Sequence, residues 1–212
     1  TTTTANSGTV SQTSTANPHT SPRHARCTTA AVASSLATVT KTAAVPATSG
    51  TTVWLSGDCY VTAASLSASL ILLNCVGGTI IYAEATSAGA GLMVQQASNS
   101  YFYRQVLDDY TALPLNAWVR IKLRVYLHAT RGEVEVWQDD RRVLMVQGIN
   151  TINTFAGELR WGAGINQVLT VDWDDVKASA GFDPEKPAGY VLAGRGQYLI
   201  RERDRLRVGV FH

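Results

Sequence analysis

The first hundred residues contain almost no charged side chains. Their only basic groups are Arg23, Arg26 and Lys41 and their only acidic groups are Asp58 and Glu84, although the whole chain has 18 basic and 16 acidic residues. The net charge is only +2, which argues against a nucleic-acid-binding protein, because such proteins concentrate a large basic excess. A long stretch of Thr, Ser, Ala and Gly with so little charge is typical of exported proteins, so we expect an extracellular or a cell- or virion-surface location.

Long apolar runs and familiar catalytic motifs are also missing. No segment is apolar over the length that a membrane-spanning helix requires, so we expect no transmembrane segment. The sequence contains no GxSxG, HExxH or Walker motif and no complete GxGxxG. These absences argue against serine hydrolases, zinc proteases and the common nucleotide-binding folds.

Cysteine is rare, and its spacing excludes the common zinc motifs. Cys27, Cys59 and Cys75 form no CxxC pair and have no flanking HxxxH. In an exported protein, Cys59 and Cys75 would close a short loop through a disulfide bond, and Cys27 would be free or paired between chains. The alternative is that all three are small buried apolar residues.

The clearest pattern in the chain is a strict alternation of apolar and polar residues after Trp118. One side of this segment carries Val119, Ile121, Leu123, Val125 and Leu127. The other side carries Arg120, Lys122, Arg124, Tyr126 and His128. A period of two residues is that of a strand with one buried face. A second alternating run, EVEVWQDDRRVLMV, is broken by a polar turn at Asp139-Asp140, so the two runs predict antiparallel strands.

Further short strands are predicted along the chain, separated by glycine and polar clusters. With the alternating runs included, the predicted strands are Leu36–Thr42, Val53–Thr62, Leu66–Asn74, Thr79–Ala85, Gly91–Gln96, Tyr101–Leu107, Trp118–His128, Glu133–Gln138, Val143–Gln147, Glu158–Trp161 and Leu169–Ala178. No segment has a sustained helical period. Many short strands without helices predict an all-β fold, either an antiparallel sandwich or a barrel.

The two ends of the chain differ from this middle part. Residues 1–22 contain twelve Thr or Ser and no charged side chain, so in isolation they would be a flexible tail. Such a tail is ordered only where it docks, either along its own sandwich or onto a neighbouring subunit. At the other end, a linker with two prolines precedes QYLIRERDRLRVGVF, which predicts a hairpin turning near Arg203-Asp204.

Four segments carry a resemblance to a known family: LPLNAWVRIKLRVYL, GEVEVWQDDRRV, GELRWGAG and LTVDWDDVKAS. Together they resemble the closing half of laminin-G-like jelly rolls, which belong to the concanavalin A-like lectin/glucanase superfamily. The family's tight turn usually has Gly after Asp, whereas this chain has Asp139-Asp140-Arg141. The resemblance covers roughly residues 50–178. It implies a two-sheet jelly roll with a concave and a convex face, and it does not imply catalysis.

The predicted architecture is therefore an antiparallel two-sheet jelly-roll β-sandwich with an extension at each end. We predict a Thr/Ser-rich tail over residues 1–29, a laminin-G-like jelly-roll domain over residues 30–181, and a linker with a C-terminal hairpin extension over residues 182–212.

The resemblance also implies a structural calcium ion. In related jelly rolls, the Asp of the closing Asp-Asp-Val strand helps to hold such an ion, and the matching residues here are Asp174 and Asp175. Calcium needs six or more oxygen ligands, so one carboxylate pair is a weak signal. The competing interpretation is a surface ion pair with Arg or Lys.

The polar side of the alternating segment is the main candidate ligand site. A concave sheet face with basic and aromatic side chains would suit an anionic polysaccharide. The candidate residues are Arg120, Lys122, Arg124, Tyr126, His128 and Trp137. Tyr126 and His128 would also suit proton transfer in a lyase. The alternative is an ordinary solvated strand face, because long cationic side chains commonly cover exposed sheets.

Other aromatic and acidic residues give weaker signals. Further possible sugar platforms are Trp54, Tyr101 and Tyr103. The tryptophans expected in core or rim packing are Trp118, Trp161 and Trp173. Carboxylates share a strand face at positions 133 and 135 and at positions 172 and 174. The Glu-x-Asp-x-Glu type of signature found in the superfamily's hydrolases is absent, so we do not expect hydrolysis.

Two functions of different classes follow from these features. The first is a non-catalytic structural protein of an extracellular or virion-surface assembly, which polymerises as its terminal extensions add strands to neighbouring copies. The alternative is a carbohydrate-binding module that holds a polysaccharide on its concave face, with a polysaccharide lyase as a less favoured variant.

Overall fold

The computed structural model describes residues 2–13, 24–32, 35–41, 48–63, 70–75, 79–86, 89–96, 101–104, 111–152, 158–164, 167–181, 183–185, 190–192, 197–202 and 205–210. The chain forms two compact units, Thr1–Phe182 and Asp183–His212. Within the described ranges, the regular structure consists of strands. No helix in those ranges is long and apolar enough to cross a membrane.

Seventeen strands lie in the described residues. They are β1 (Thr2–Asn6), β2 (Thr9–Thr13), β3 (His24–Thr28), β4 (Leu36–Lys41), β5 (Thr52–Thr62), β6 (Leu70–Cys75), β7 (Thr79–Thr86), β8 (Gly89–Gln96), β9 (Tyr101–Arg104), β10 (Trp118–Tyr126), β11 (Gly132–Gln138), β12 (Arg141–Ile149), β13 (Leu159–Gly164), β14 (Thr170–Ala180), β15 (Tyr190–Leu192), β16 (Gln197–Glu202) and β17 (Arg205–Val210). Each of the eleven predicted strands corresponds to one of these. The predicted strand residues 42, 66–69 and 105–107 lie outside the described part of the chain.

The first unit contains two seven-stranded antiparallel sheets. The first sheet has the strand order β1-β4-β13-β6-β7-β8-β9, and the second has the order β12-β11-β10-β5-β14-β3-β2. Apolar residues of both sheets form one buried cluster. This arrangement confirms the predicted all-β, antiparallel jelly-roll sandwich.

The alternation in β10 sets the orientation of the second sheet. Val119, Ile121, Leu123 and Val125 are buried in the core, and the residues between them are half-buried on the opposite side. This is the arrangement expected of a strand that packs on one face only. Each buried aliphatic side chain of this kind contributes about 1.5–3 kcal/mol by leaving water. The burial of the apolar side therefore fixes which side chains of β10 point outward.

The turn between β11 and β12 explains the departure from the family pattern. Asp139 has a positive φ of 52°, a conformation that Asp adopts more readily than most residues. Its backbone nitrogen donates to the Arg120 carbonyl oxygen at 2.7 Å, and its Oδ1 accepts from the Arg120 nitrogen at 3.0 Å. Asp139 thus makes this turn without the usual glycine.

The described part of the N-terminal segment, predicted as a tail over residues 1–29, contains three strands. β1 pairs with β4 in the first sheet, and β2 pairs with β3 in the second, so the segment lies along its own sandwich. The chain changes sheets at Gly8, where a Cβ would approach the Thr28 carbonyl oxygen to 2.7 Å. Backbone hydrogen bonds at a sheet edge require no apolar side chains, which is why a Thr-rich sequence can form these strands.

The second unit is a small antiparallel sheet of order β15-β16-β17. β16 pairs with β17 from Gln197 opposite Val210 to Glu202 opposite Arg205. The predicted turn at residues 203–204 lies outside the described residues. The short strand β15 was not predicted, because three residues are too few to show an alternation.

The three cysteines are buried free thiols, and the predicted bond between Cys59 and Cys75 is not formed. Cys59 lies on β5 of the second sheet and Cys75 on β6 of the first. Facing sheets are about 10 Å apart, whereas the Cα atoms of a disulfide lie within about 7 Å. Burial raises the pKa of Cys75 to about 12, and burial with the nearby Asp172 charge raises the pKa of Cys27 to about 12. The thiols therefore behave as the apolar residues of the alternative interpretation.

Candidate functional site

The predicted stripe lies on the side of the second sheet that points away from the core, which we call the outer face. β10 lies between β5 and β11. Arg120, Lys122, Arg124 and Tyr126 follow one another along β10 on this face, each half-buried. The structure thus brings the stripe together with side chains of both neighbouring strands.

Arg120 is held by two acidic residues at one end of the outer face. Its Nη1 lies 3.1 Å from Asp58 Oδ1 and 3.2 Å from Asp175 Oδ2, and its Nη2 donates to Ser56 Oγ at 3.1 Å. Lys177 Nζ also lies 2.8 Å from Asp175 Oδ2. Arg120 and Lys177 together neutralise the two carboxylates.

A bulge in β14 places Asp175 in this cluster. The pairing of β14 with β5 shifts register between Asp174 and Lys177, and Asp175 has a positive φ of 46°. Such bulges re-aim side chains at a sheet surface. Asp175 therefore forms the ion pairs of the competing interpretation. No group of three His, Cys, Asp or Glu side chains suited to a metal occurs among the described residues, so the calcium site predicted at Asp174 and Asp175 lacks support.

A second ion pair lies beside this cluster. Arg26 donates to Asp172 through Nε and Nη2, both at 2.7 Å, and Asp172 is only 2% exposed. These hydrogen bonds raise the pKa of the Arg26 guanidinium. His24 Nε2 lies 3.5 Å from Asp172 Oδ2, and the His24 ring meets Trp118 edge-on at 5.8 Å. We call the region formed by these two groups of ion pairs the ion-paired end. Its residues are Arg26, Asp172, Arg120, Asp58, Asp175 and Lys177.

The opposite end of the outer face is aromatic. Trp54 on β5 and Trp137 on β11 lie on the two sides of β10, and their rings stack at a centroid distance of 5.7 Å and an angle of 24°. The Lys122 Nζ lies 5.1 Å from the Trp137 ring centroid and 5.8 Å from that of Trp54. The indole Nε1 of Trp54 is buried and has no hydrogen-bond partner among the described residues. The two stacked indoles form an apolar aromatic pair flanked by polar groups.

Arg124 borders this aromatic pair. Its Nη1 donates to Glu133 Oε2 at 3.1 Å and to Glu135 Oε1 at 2.9 Å, and its guanidinium lies 6.0 Å from the Trp54 ring centroid. Glu135 Oε2 lies 3.7 Å from Arg142 Nη1. The pairing fixes donors and acceptors next to the indoles. We call the region of Trp54, Trp137, Lys122, Arg124 and these glutamates the aromatic end.

The remaining stripe residues, Tyr126 and His128, lie against each other next to the turn that follows β10. The rings of Tyr126 and His128 stack at 6.1 Å. His128 Nδ1 accepts hydrogen bonds from the backbone nitrogens of Thr130 at 3.1 Å and Arg131 at 2.9 Å. An imidazole nitrogen used in this way caps a turn, so the Nδ1 lone pair is not available to a substrate proton. The other ring nitrogen, Nε2, lies 3.3 Å from Arg131 Nη2.

The other aromatic residues named in the sequence lie in the core, on the outer face or outside the described residues. Trp161 and Trp173 are buried as expected, with indole nitrogens that donate to the Ser56 and Gly162 carbonyl oxygens at 2.9 and 3.1 Å. Trp118 is instead on the outer face, 5.6 Å from the ring of Tyr60. Tyr103 packs against the core. The Tyr101 side chain lies outside the described part of the structure.

Sequence reasoning missed several outer-face residues of β3 and β5. The missed residues are His24, Arg26, Ser56, Asp58 and Tyr60. β5 does contain a signal, because every second residue from Thr52 to Tyr60 is polar or aromatic. The alternation is difficult to recognise because the residues between these positions are small and buried. Ser56 and Asp58 are buried as well, so the strand has no clearly exposed side.

No protein-family model matches the sequence, and none of the curated proteins matches it. Solved structures share its fold. The cellulose-induced protein Cip1 is 14% identical, with a TM-score of 0.60 over 82% of this chain and 86% of that one. The alginate lyase AlyC3 in complex with dimannuronate is 9% identical, with a TM-score of 0.56 over 74% of each chain. The binding domain of botulinum neurotoxin DC in complex with SialylT is 10% identical, with a TM-score of 0.52 over 82% of this chain and 42% of that one.

At these identities the likeness establishes the fold alone. The fold is that of a jelly-roll β-sandwich, as the resemblance implied, and membership of the concanavalin A-like superfamily stays a prediction. The narrower resemblance to laminin-G domains stays a prediction.

Proposed function

We propose that the protein is a non-catalytic carbohydrate-binding domain whose ligand rests on the aromatic end of the outer face. The observation that carries this proposal is the stacked pair of Trp54 and Trp137 beside the Arg124 ion pairs. Indole faces stack on the apolar face of a sugar ring, and fixed donors and acceptors next to them orient its hydroxyl groups.

The aromatic pair is difficult to explain as an ordinary solvated face. A scattered Leu or Val on a surface needs no explanation, whereas adjoining large apolar rings commonly mark a binding site. Trp54 and Trp137 are both half-buried rather than enclosed in the core. The shared fold with an alginate lyase bound to dimannuronate adds support, because a protein of this architecture can accommodate a saccharide. An extracellular or surface location, expected from the composition, is part of the same proposal.

The self-assembling role has less support. Strands β1 and β2 pair within their own sandwich, so the N-terminal segment needs no neighbouring copy to form strands. Polymerisation through the C-terminal unit stays a prediction. Size measurements by light scattering on the full chain, and on a chain without residues 183–212, would reveal an assembly that depends on that unit.

The binding proposal is tested with a glycan array followed by calorimetry on the best glycan. Trp137→Ala and Trp54→Ala should each weaken binding by roughly tenfold or more, because central aromatic residues carry much of the energy of a binding site. Val168→Ala is the matched control, since Val168 is an exposed apolar residue, 63% accessible, on the loop before β14. Binding that both tryptophan variants retain, or no binding by the intact protein to any glycan, would contradict the proposal.

A further inference from the structure

We infer that the ligand of the aromatic end is an uncharged glycan and not a polyanion. This inference rests on the proposed function and specifies the chemical class of its ligand. It replaces the anionic polysaccharide that the basic stripe alone indicated, because the structure places carboxylates beside Arg120 and Arg124 and two indole rings beside Lys122.

The charges of the outer face balance among the described residues of β3, β5, β10, β11, β12 and β14. Its basic side chains are Arg26, Arg120, Lys122, Arg124, Arg142 and Lys177. Its acidic side chains are Asp58, Glu133, Glu135, Asp172, Asp174 and Asp175. Six positive and six negative groups give this surface as a whole no net charge to attract a polyanion.

Each cation of the stripe from Arg120 to Arg124 also has a partner within the protein. Arg120 lies between two carboxylates, at 3.1 and 3.2 Å. Arg124 lies between Glu133 and Glu135, at 3.1 and 2.9 Å. Lys122 lies over the two indole rings, at 5.1 and 5.8 Å from their centroids. A carboxylate or sulfate on the ligand would have to replace these contacts, and it would approach the glutamates against like-charge repulsion.

An uncharged glycan suits the same groups without replacing them. A hydroxyl group both donates and accepts a hydrogen bond. The Arg124 guanidinium has five donor hydrogens, of which the two glutamates take only some, and each glutamate oxygen can accept from more than one donor. Since the ion pairs already hold these side chains in place, a hydroxyl meets prearranged partners at little entropic cost.

The inference is tested by calorimetry with two sets of probes. The neutral probes are cello-, xylo- and manno-oligosaccharides, and the anionic probes are alginate and polygalacturonate oligosaccharides. A neutral probe should bind at least roughly tenfold more tightly than either anionic probe. Its affinity should change by less than about twofold between about 0.05 and about 0.5 M sodium chloride, because salt screens interactions between full charges.

A charge-removing variant makes the test specific. Glu133→Gln with Glu135→Gln leaves Arg124 without its anionic partners, so the variant should gain affinity for the anionic probes by roughly tenfold and lose affinity for the neutral one. Glu158→Gln is the matched control, because Glu158 forms an equivalent ion pair with Arg160 at 2.8 Å next to β13 of the other sheet.

The outcomes separate the two proposals. Tighter, salt-sensitive binding of an anionic probe by the intact protein would overturn the neutral-ligand inference and leave carbohydrate binding intact. An unchanged preference in the double glutamine variant would also contradict the inference. Failure of both probe sets to bind, under conditions where the protein is folded, would overturn the proposed function itself.

Discussion

The ion-paired end and the aromatic end share β5 and β10, yet the former contains two carboxylates that are more buried than those of the latter. The Asp58 and Asp172 side chains are 8% and 2% exposed, whereas the Glu133 and Glu135 side chains are 31% and 12% exposed, and only Asp175 of the described carboxylates in the ion-paired end is more open, at 38%. Removing one partner of a buried ion pair leaves an unpaired charge, which costs several kcal/mol. A half-exposed pair can instead exchange hydrogen bonds with a ligand or water. Burial thus divides one sheet face into a part that stabilises the fold and a part suited to recognition.

The largest expected effect is on the ion-paired end. Asp172→Ala should lower the free energy of unfolding by about 2–3 kcal/mol, because Arg26 loses its partner but remains partly accessible to water. The change is measured by urea denaturation, with Glu158→Ala as the control. Since Glu158 and Arg160 are both partly exposed, the control should cost less than about 1 kcal/mol. Equal losses of unfolding free energy in the two variants would contradict the claim that the buried ion pair stabilises the fold more than a partly exposed one.

A smaller effect is expected at the aromatic end, and on binding instead of stability. Arg124→Lys should weaken glycan binding by about 1–2 kcal/mol, because a compact ammonium group cannot keep the hydrogen bonds to both glutamates and also the planar contact with the Trp54 ring. Unfolding in urea should change by less than about 1 kcal/mol. Calorimetry and denaturation on the same variant separate these quantities. A variant that loses stability and keeps full affinity would assign Arg124 to the structural part of the face.

The smallest effect concerns the core beneath the ion-paired end. The pKa of Cys27 is raised to about 12, so the folded state keeps its thiol protonated after the unfolded chain has ionised. The protonated Cys27 thiol therefore contributes its full stabilisation below about pH 9, and this contribution is lost as the pH rises toward 12. For Cys27 the loss between pH 8 and pH 10 is about 1 kcal/mol.

Comparison with Cys27→Ala isolates this contribution. The alanine variant lacks the titrating thiol, so the stability difference between the two proteins should shrink by about 1 kcal/mol over that pH range. Urea denaturation at both pH values measures it, and a constant difference would show that the thiol ionises equally in both states.

Much of the fold could be predicted because it depends on local alternation. The residues from Val119 to Val125 specify a strand with one buried face whatever lies beside it, and this face is buried as predicted. β1 and β2 could not be predicted in the same way, because edge strands form backbone hydrogen bonds that leave no apolar pattern in the sequence.

The site was less predictable, because its contacts depend on strand order. Arg26 and Asp172 are 146 positions apart, and they meet only because β3 lies beside β14. Trp54 and Trp137 were both candidate sugar platforms, but their stacking depends on β5 and β11 lying on the two sides of β10. The basic stripe indicated an anion site for the same reason, since its carboxylate partners come from other strands.

The central claim is that a glycan binds at the aromatic end. Its most direct test is a nuclear magnetic resonance titration of the protein with a glycan that it binds, in which the signals of the five tryptophan indole groups are followed. Trp161 and Trp173 are buried and hydrogen-bonded, so their indole signals serve as internal references. Trp→Phe variants assign the signals. We predict saturable shifts of the Trp54 and Trp137 signals while the two references stay in place. Shifts at Trp118 alone, or no shift at Trp54 and Trp137 at a saturating glycan concentration, would contradict a binding site at the aromatic end.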